Sequence, residues 1–295
     1  MTGYRALLDA LAHPRLVGTP QHAATRELLK RELAARGFVV MEHRFPAVPR
    51  FPLRGRVKAE GINLIAVRPR VRVMTWLTAH YDSKGQPLSM AGRLLILAAA
   101  GALIPVFLGA TLAGASLWWG LGLFVLPALF LALNVATDGS PGAVDNASGV
   151  LTVLGALDLL PAEAPVGAIL LDAEELGLGG ARALVRERAN LLDETAVINF
   201  DGIDDRGNVV FFAHRPGALT ARVAERLGAS PRRRLPVVVD GLALARACRE
   251  CCTVMKGDWG TTRIVHTPRD TANRLTLTGV GMVAQAVVAS LAPHP

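Results

Sequence analysis

Apolar and polar positions along the chain alternate between helical spacing and short continuous apolar runs. Helical spacing begins at Thr19-Pro20, which suit an N-cap and a first helical position, and ends at Gly37. Continuous apolar runs are typical of strands buried between layers of helices. The pattern predicts strands near residues 38–45, 53–67, 71–80, 166–175, 196–203, 208–212 and 263–266. It predicts further helices near residues 147–160, 179–190, 217–227, 242–251 and 275–291. This alternation indicates an α/β fold.

One segment breaks the alternation, because Leu94 to Thr137 contains no charged residue. A bilayer core needs about 20 apolar residues per helix, and this run is about twice that length. We predict a hairpin of two transmembrane helices, at about 94–114 and 118–136, with Trp118-Trp119 near an interfacial turn. The alternative is a buried apolar hairpin or an oligomer interface in a soluble protein. The predicted organisation is one domain formed by residues 1–92 and 138–295, with residues 93–137 inserted.

The net charge of +8 comes mainly from arginine and narrows the choice of partners. The sequence has no basic stripe interleaved with aromatic residues, so we expect no nucleic-acid partner. Anionic lipid headgroups suit the charge and the apolar run, and a solvated arginine-rich surface is the alternative. The three cysteines, Cys248, Cys251 and Cys252, lie in a segment with helical spacing and are interpreted as ordinary thiols. The first residues lack an apolar core, which predicts no cleavable export signal.

Polar residues that can bind metal stand at the ends of four predicted strands. Parallel strands place such residues at one edge of the sheet, where α/β proteins bind ligands. Together with Asp145, they supply two imidazoles and three carboxylates. The candidate ligands are His80, Asp145, Glu175, Asp201 and His266. This mixture suits zinc, with manganese or cobalt as substitutes, although each residue alone is more often structural. If Asp145 bridges, it allows two zinc ions with an open position for a water molecule.

Residues beside the candidate ligands suit supporting roles in catalysis. Glu174 is the candidate general base, which would take a proton from a metal-bound water and pass it to a leaving amine. The alternative for the Glu174-Glu175 pair is a solvated helix start. Asp82 is placed to accept a hydrogen bond from His80 and so fix the imidazole tautomer. We predict a similar role for Asp270 near His266.

Five segments of the chain resemble the co-catalytic di-zinc aminopeptidases of clan MH, in the same order. They are TAHYDSK, GAVDNASGV, DAEELGLGGARAL, INFDGI and VHTPRDTANRL. The resemblance implies a three-layer zinc-exopeptidase sandwich, with a mixed, largely parallel sheet between helices. It also implies His80 and Asp201 on one zinc, Glu175 and His266 on the other, Asp145 as the bridge and Glu174 as the base. In such relatives the peptide bond after the bridging aspartate is often cis.

The sequence departs from these relatives at Gly257-Asp258-Trp259-Gly260, where many have a Ser-Asp-His segment leading into a phenylalanine. That region shapes the substrate pocket, so specificity does not carry over. The HYDSK segment also resembles glutaminyl cyclases, which use one zinc ion.

The sequence as a whole predicts a membrane-anchored di-zinc aminopeptidase that hydrolyses N-terminal residues from peptides. The alternatives are a single-zinc glutaminyl-peptide cyclase and an inactive peptidase-like receptor or scaffold. A hairpin returns the chain to the side that it left, so both halves of the site stay together near the membrane surface. Lys84 and Arg93 flank the hairpin and its turn is uncharged, which places the catalytic domain on the cytoplasmic side of an integral membrane protein. The sequence carries no signal for the number of chains in the assembly.

Overall fold

The computed structural model describes residues 2–48, 59–114, 116–232 and 237–292. Its strands form one mixed sheet in the order β1-β2-β4-β3-β5-β8-β6-β7. The strands are β1 Val39–Ala47, β2 Ala59–Val67, β3 Thr75–His80, β4 Val166–Leu171, β5 Ala196–Ile203, β6 Asn208–Arg215, β7 Pro231–Arg232 and β8 Glu250–Gly257. The four central strands β4, β3, β5 and β8 are parallel, and β2 and β6 join them in antiparallel pairing. The first part of the strand predicted at 53–67 lies outside the described residues.

Helices cover both faces of the sheet, so the fold is the predicted mixed α/β arrangement. One core joins the sheet to α1, α2, α5, α8 and α11, and a second core joins the other face to α6, α7 and α9. The helices are α1 Thr2–Leu11, α2 Pro20–Ala35, α3 Met90–Leu112, α4 Leu117–Ala132, α5 Gly149–Leu159, α6 Gly179–Glu187, α7 Ala189–Leu192, α8 Ala218–Arg226, α9 Gly241–Leu244, α10 Trp259–Thr262 and α11 Thr278–Leu291. Central strands such as β3 and β4 are buried along their whole length, which explains their continuous apolar runs.

Two predicted elements near the C-terminal third are wrong. The helix predicted at 242–251 is only the short α9, and Cys251 and Cys252 lie in β8 between β5 and β6. Strand pairing on both sides outweighs the helical spacing of that segment. All three cysteines are buried free thiols, two of them in a strand rather than in a helix.

The strand predicted at 263–266 is a series of turns. The backbone N–H groups of Ile264 and Val265 both bond to the carbonyl of Thr261, and that of Thr267 bonds to Ile264. His266 follows with a positive φ of 64°, a conformation that a strand does not contain. Two β-branched residues in sequence were therefore too short a signal for a strand.

The uncharged run forms two helices, α3 and α4, that contact each other. Among the described residues, α3 is long and apolar enough to cross a membrane, and α4 is shorter, at 16 residues. Gly85 and Thr137 close the base of this hairpin with a pair of backbone hydrogen bonds of 2.7 and 2.8 Å. The side chain of Asn134 accepts a hydrogen bond from the Leu88 N–H, 2.8 Å away. The two ends of the insertion are thus held together at the domain surface.

Leu151 and Leu159 of α5 provide a matched test of the core. Leu151 is fully buried against the sheet and Leu159 is half exposed. We expect Leu151→Ala to lower the free energy of unfolding by about 2–5 kcal/mol, because it leaves a cavity in a packed core. Leu159→Ala should change it by no more than about 0.5 kcal/mol. Denaturant unfolding in detergent micelles measures both, and equal losses would contradict the packing described here.

Candidate active site

The candidate ligands gather where three parallel strands end. His80 is the last residue of β3, Glu175 follows β4, and Asp201 lies in the second half of β5. Asp145 lies in the turn that leads into α5, and its peptide bond to Asn146 is cis, as the resemblance implies. His266 comes from the turns after α10, on the same side of the sheet. All five residues are buried.

Two groups of three residues in this cluster could each hold a metal ion, and they share Asp145. One group is His80, Asp145 and Asp201, and the other is Asp145, Glu175 and His266. In each group the donor atoms all lie within 4.8 Å of one another. The His80 Nε2 atom is 3.2 Å from Asp145 Oδ1, and the His266 Nε2 atom is 2.9 Å from Asp145 Oδ2. The two carboxylate oxygens of Asp145 thus face different imidazoles.

The donor chemistry fits a metal ion at the His80 group. His80 Nδ1 lies 3.2 Å from the Asp82 carbonyl oxygen, so a proton on Nδ1 is held there. Its Nε2 lone pair then faces Asp145 Oδ1, a buried oxygen without a hydrogen-bond partner among the described residues. Two acceptors facing each other at this distance repel unless a proton or a metal cation lies between them. Imidazole and carboxylate are ligands that zinc prefers.

At the Glu175 group the donors are of the right type, but two cations already lie beside them. Lys84 Nζ is 2.7 Å from Glu175 Oε2, and the Arg93 guanidinium donates to His266 Nδ1. A guanidinium has no acceptor, so this contact leaves the imidazole proton on Nε2, which faces Asp145 and Glu175. Coordination through His266 Nε2 therefore requires the Arg93 contact to open. The sequence pattern predicts Lys84 and Arg93 only as flanks of the hairpin.

Burial and neighbouring charges separate the pKa values of the carboxyl groups. Burial raises the pKa of Glu174 well above its usual range, and the nearby carboxylates of Glu175, Asp240 and Asp201 add to this. Burial also raises the pKa of Asp201, to about 7. For Glu175, His266 and Lys84 outweigh the effect of burial and lower the pKa to about 2. Glu175 is thus held firmly in its charged form, as is Asp145, because His266 and His80 outweigh burial and lower the Asp145 pKa well below its usual range. Glu174 instead holds a proton readily.

Asp82 and Asp270 hold the backbone that carries the acidic residues. The Asp82 carboxylate accepts hydrogen bonds from the N–H groups of Glu174 and Glu175, at 3.2 and 3.1 Å, and lies 3.4 Å from His80 Nδ1. Asp270 accepts from the N–H groups of Val144 and Asp145, at 2.7 and 3.1 Å. Asp270 thus holds the turn that carries Asp145, whereas the ring nitrogens of His266 face Arg93, Asp145 and Glu175.

Two further buried residues around the site were not predicted. Asp240, just before α9, is fully buried, and neither of its carboxylate oxygens has a hydrogen-bond partner among the described residues. Burial, together with Asp201, Asp82 and Glu175, raises the pKa of Asp240 well above its usual range. Arg15 donates to the carbonyl groups of Tyr81 and Gly142 and so joins the end of β3 to the loop before Asp145. Neither residue belongs to a recognisable sequence motif, because the residues near each of them in the fold are far away in the chain.

A cavity of about 650 Å³ opens onto the cluster. Its wall includes Asp145, Glu174, Glu175, Asp201 and His266. The departure from the aminopeptidase pattern, Gly257-Asp258-Trp259, also lines this cavity. The site is therefore accessible to a ligand, and Glu174 faces the same space as the candidate metal ligands.

Asp82→Asn tests the support that Asp82 gives to the cluster. An amide keeps one acceptor oxygen but turns an N–H₂ group toward a backbone donor, so Glu174 and Glu175 lose their shared anchor. We expect zinc affinity to fall by about 10- to 100-fold. Competition with a fluorescent zinc chelator measures this, with the exposed Asp193→Asn as control. Unchanged affinity in Asp82→Asn would contradict the role of this carboxylate.

Solved structures with the same fold cover nearly the whole chain. A zinc aminopeptidase from Bacillus subtilis has a TM-score of 0.65 at 13% identity, over 98% of this chain and 94% of its own. A glutaminyl cyclase from Porphyromonas gingivalis has a TM-score of 0.64 at 17% identity, over 98% and 96%. The LapA aminopeptidase of Legionella pneumophila has a TM-score of 0.62 at 14% identity, over 98% and 70%. At these identities the likeness concerns the fold.

No curated protein matches the sequence significantly. The sequence profile of Peptidase family M28 matches residues 63–291, which include every candidate ligand and the hairpin. The match covers most of the chain. The protein therefore belongs to Peptidase family M28.

Proposed function

We propose that the protein is a membrane-anchored, di-zinc aminopeptidase that hydrolyses the N-terminal residue from peptides. The observation that carries this proposal is the pair of donor groups that share Asp145, with a further buried carboxylate, Glu174, beside them. Membership of a peptidase family supports the reaction class. The two groups support His80 and Asp201 as ligands of one ion, Glu175 and His266 as ligands of the other, and Asp145 as the bridge.

Bound zinc, with manganese or cobalt as substitutes, would polarise the scissile carbonyl and acidify a water molecule. The residues of the chain supply the proton transfers and the positioning. Glu174 accepts a proton as the water oxygen bonds to the carbonyl carbon, and returns it to the nitrogen as the C–N bond breaks. Burial raises the proton affinity of Glu174, which suits a group that must hold this proton between the two steps. Asp82 keeps Glu174 in place through its backbone N–H.

Glu174→Gln tests the proposed base. The amide cannot accept a proton but has nearly the same shape, so zinc content should stay the same. We expect kcat for an aminoacyl anilide to fall by about 100- to 10,000-fold. Initial rates and metal content are measured on one sample, with the exposed Glu163→Gln as matched control. Activity retained in Glu174→Gln would exclude this residue as the base.

One observation favours a second candidate, a glutaminyl-peptide cyclase with a single zinc ion. Lys84 and Arg93 already contribute two positive charges beside Glu175 and His266. A cluster that contains its own cations needs less positive charge from metal, which favours one ion rather than two. The same samples separate the candidates. An aminopeptidase releases a free amino acid and holds two zinc ions per chain, whereas a cyclase releases ammonia from N-terminal glutamine and holds one.

The hairpin supports the membrane anchor. Many large apolar side chains of α3 and α4 are exposed to the surroundings of the domain, including Ile104, Leu108, Leu112 and Phe130. An apolar surface of this extent is costly in water and favourable in lipid. We infer that α3 and α4 lie in the cytoplasmic membrane and that the catalytic domain lies on the cytoplasmic side, beside Lys84 and Arg93.

Extraction of membranes with alkaline carbonate tests the anchor. An integral hairpin should keep the full-length chain in the pelleted membranes, because no charge in Leu94–Thr137 favours its release into water. Treatment of sealed inside-out vesicles with protease should cut the catalytic domain, and right-side-out vesicles should protect it. Release of the chain by carbonate would contradict the anchor, and the reversed protease pattern would contradict the orientation.

A further inference from the structure

The hairpin forms part of the wall of the catalytic cavity. Met90, Leu94 and Leu97 of α3 and Leu131 of α4 line the same space as Glu174 and the candidate ligands. Trp259 of α10 lines it beside α3, and the two helices contact each other. The base of the insertion therefore does more than hold the chain on a surface. It supplies apolar side chains to the substrate space.

The mouth of this cavity is apolar on the side of the hairpin. Leu97 is 53% exposed and Trp259 is 51% exposed, although both line the cavity, so they lie at its opening. Further along α3, Ile104 and Leu108 are also about half exposed. An apolar surface thus continues from the lipid-facing part of α3 to the cavity. Leu97 stands between these two parts.

The position of the cavity mouth relative to the bilayer follows from the geometry of α3. Arg93 carries the only charge of this helix and is directed to His266, inside the domain. Leu97 lies one turn further along, which is about 6 Å at 1.5 Å per residue. If α3 enters the bilayer just after Arg93, Leu97 and Trp259 lie where headgroups meet acyl chains. Tryptophan is enriched at that level of membrane proteins.

We propose that the cavity accepts its substrate laterally from the membrane interface, and that the substrates are peptides with an apolar N-terminal segment partitioned into the bilayer. This inference rests on the proposed function and names its substrate class. An apolar side chain that moves from the acyl region to the mouth stays among apolar groups, so it loses little burial on the way. A polar peptide from water gains less from this path, because Leu97 and Trp259 offer it mainly apolar surface at the mouth.

The test compares two peptides with the same first two residues, one followed by an apolar segment that partitions into vesicles and one followed by a polar segment. The full-length protein is reconstituted in phosphatidylcholine–phosphatidylglycerol vesicles. We expect kcat/KM to be at least about tenfold higher for the partitioning peptide. Leu97→Gln should reduce this ratio severalfold, because it interrupts the apolar surface between the lipid-facing part of α3 and the cavity. Leu95→Gln is the matched control, because Leu95 is equally exposed on α3 but does not line the cavity.

A second readout does not depend on turnover. The apolar peptide, with a photoreactive first side chain, is cross-linked in the vesicles and the adducts are mapped by mass spectrometry. Adducts at Leu94, Leu97, Leu131 or Trp259 support the inference even if no peptide is hydrolysed, an outcome that would refute only the proposed function. Measurable but equal rates on the two peptides, or equal ratios in Leu97→Gln and Leu95→Gln, would overturn the inference. Adducts confined to other surfaces would overturn it as well.

Discussion

The site depends on keeping several carboxylates close together where the protein buries most of their surface. Asp145, Glu174, Glu175 and Asp201 are all buried there, and the buried carboxyl groups of Asp82 and Asp240 lie close enough to interact with them. Their mutual repulsion and the loss of hydration both oppose folding, since charged groups strongly favour water over the protein interior. The neighbouring structure offsets this cost with backbone N–H donors, two imidazoles, Lys84 and Arg93. The charge that remains is what a metal ion would neutralise.

The crowding of buried carboxylates also explains why neighbouring acidic groups differ in their tendency to hold a proton. Glu175 has a cation and an imidazole within about 3 Å and stays charged. Glu174 has only acidic neighbours and burial to set its proton affinity, apart from the imidazole of His80. Adjacent residues of identical chemistry therefore have opposite tendencies. The difference comes from their surroundings and suits one for holding a cation and the other for moving a proton.

The sequence predicts which polar residues lie together better than it predicts the elements that carry them. His80, Glu175 and Asp201 each end an apolar run, and parallel strands bring such ends together, so their clustering follows from pattern alone. His266 joins the cluster through turns, with a positive φ of its own. The sequence pattern predicts this residue as a ligand but wrongly places it in a strand. Helical spacing around Cys248 was misleading, because β8 is paired on both sides. Arg15, Arg93 and Asp240 could not be assigned, since their importance lies in contacts with residues far away in the chain.

The closed base of the hairpin makes the rest of the fold depend little on the length of the segment between Gly85 and Thr137. Gly85 and Thr137 pair across the ends of the insertion, and Gln86 joins that base to the carbonyl of His266 at 2.8 Å. The two ends of the segment are therefore adjacent, and between them the rest of the domain contacts mainly the first turns of α3, through His266 and α10. Since the entropy of closing a loop grows slowly with its length, a short surface turn at this position is exchangeable for a long segment at modest cost. The fold thus constrains the length of this segment only weakly, while its attachment points adjoin the candidate metal ligands.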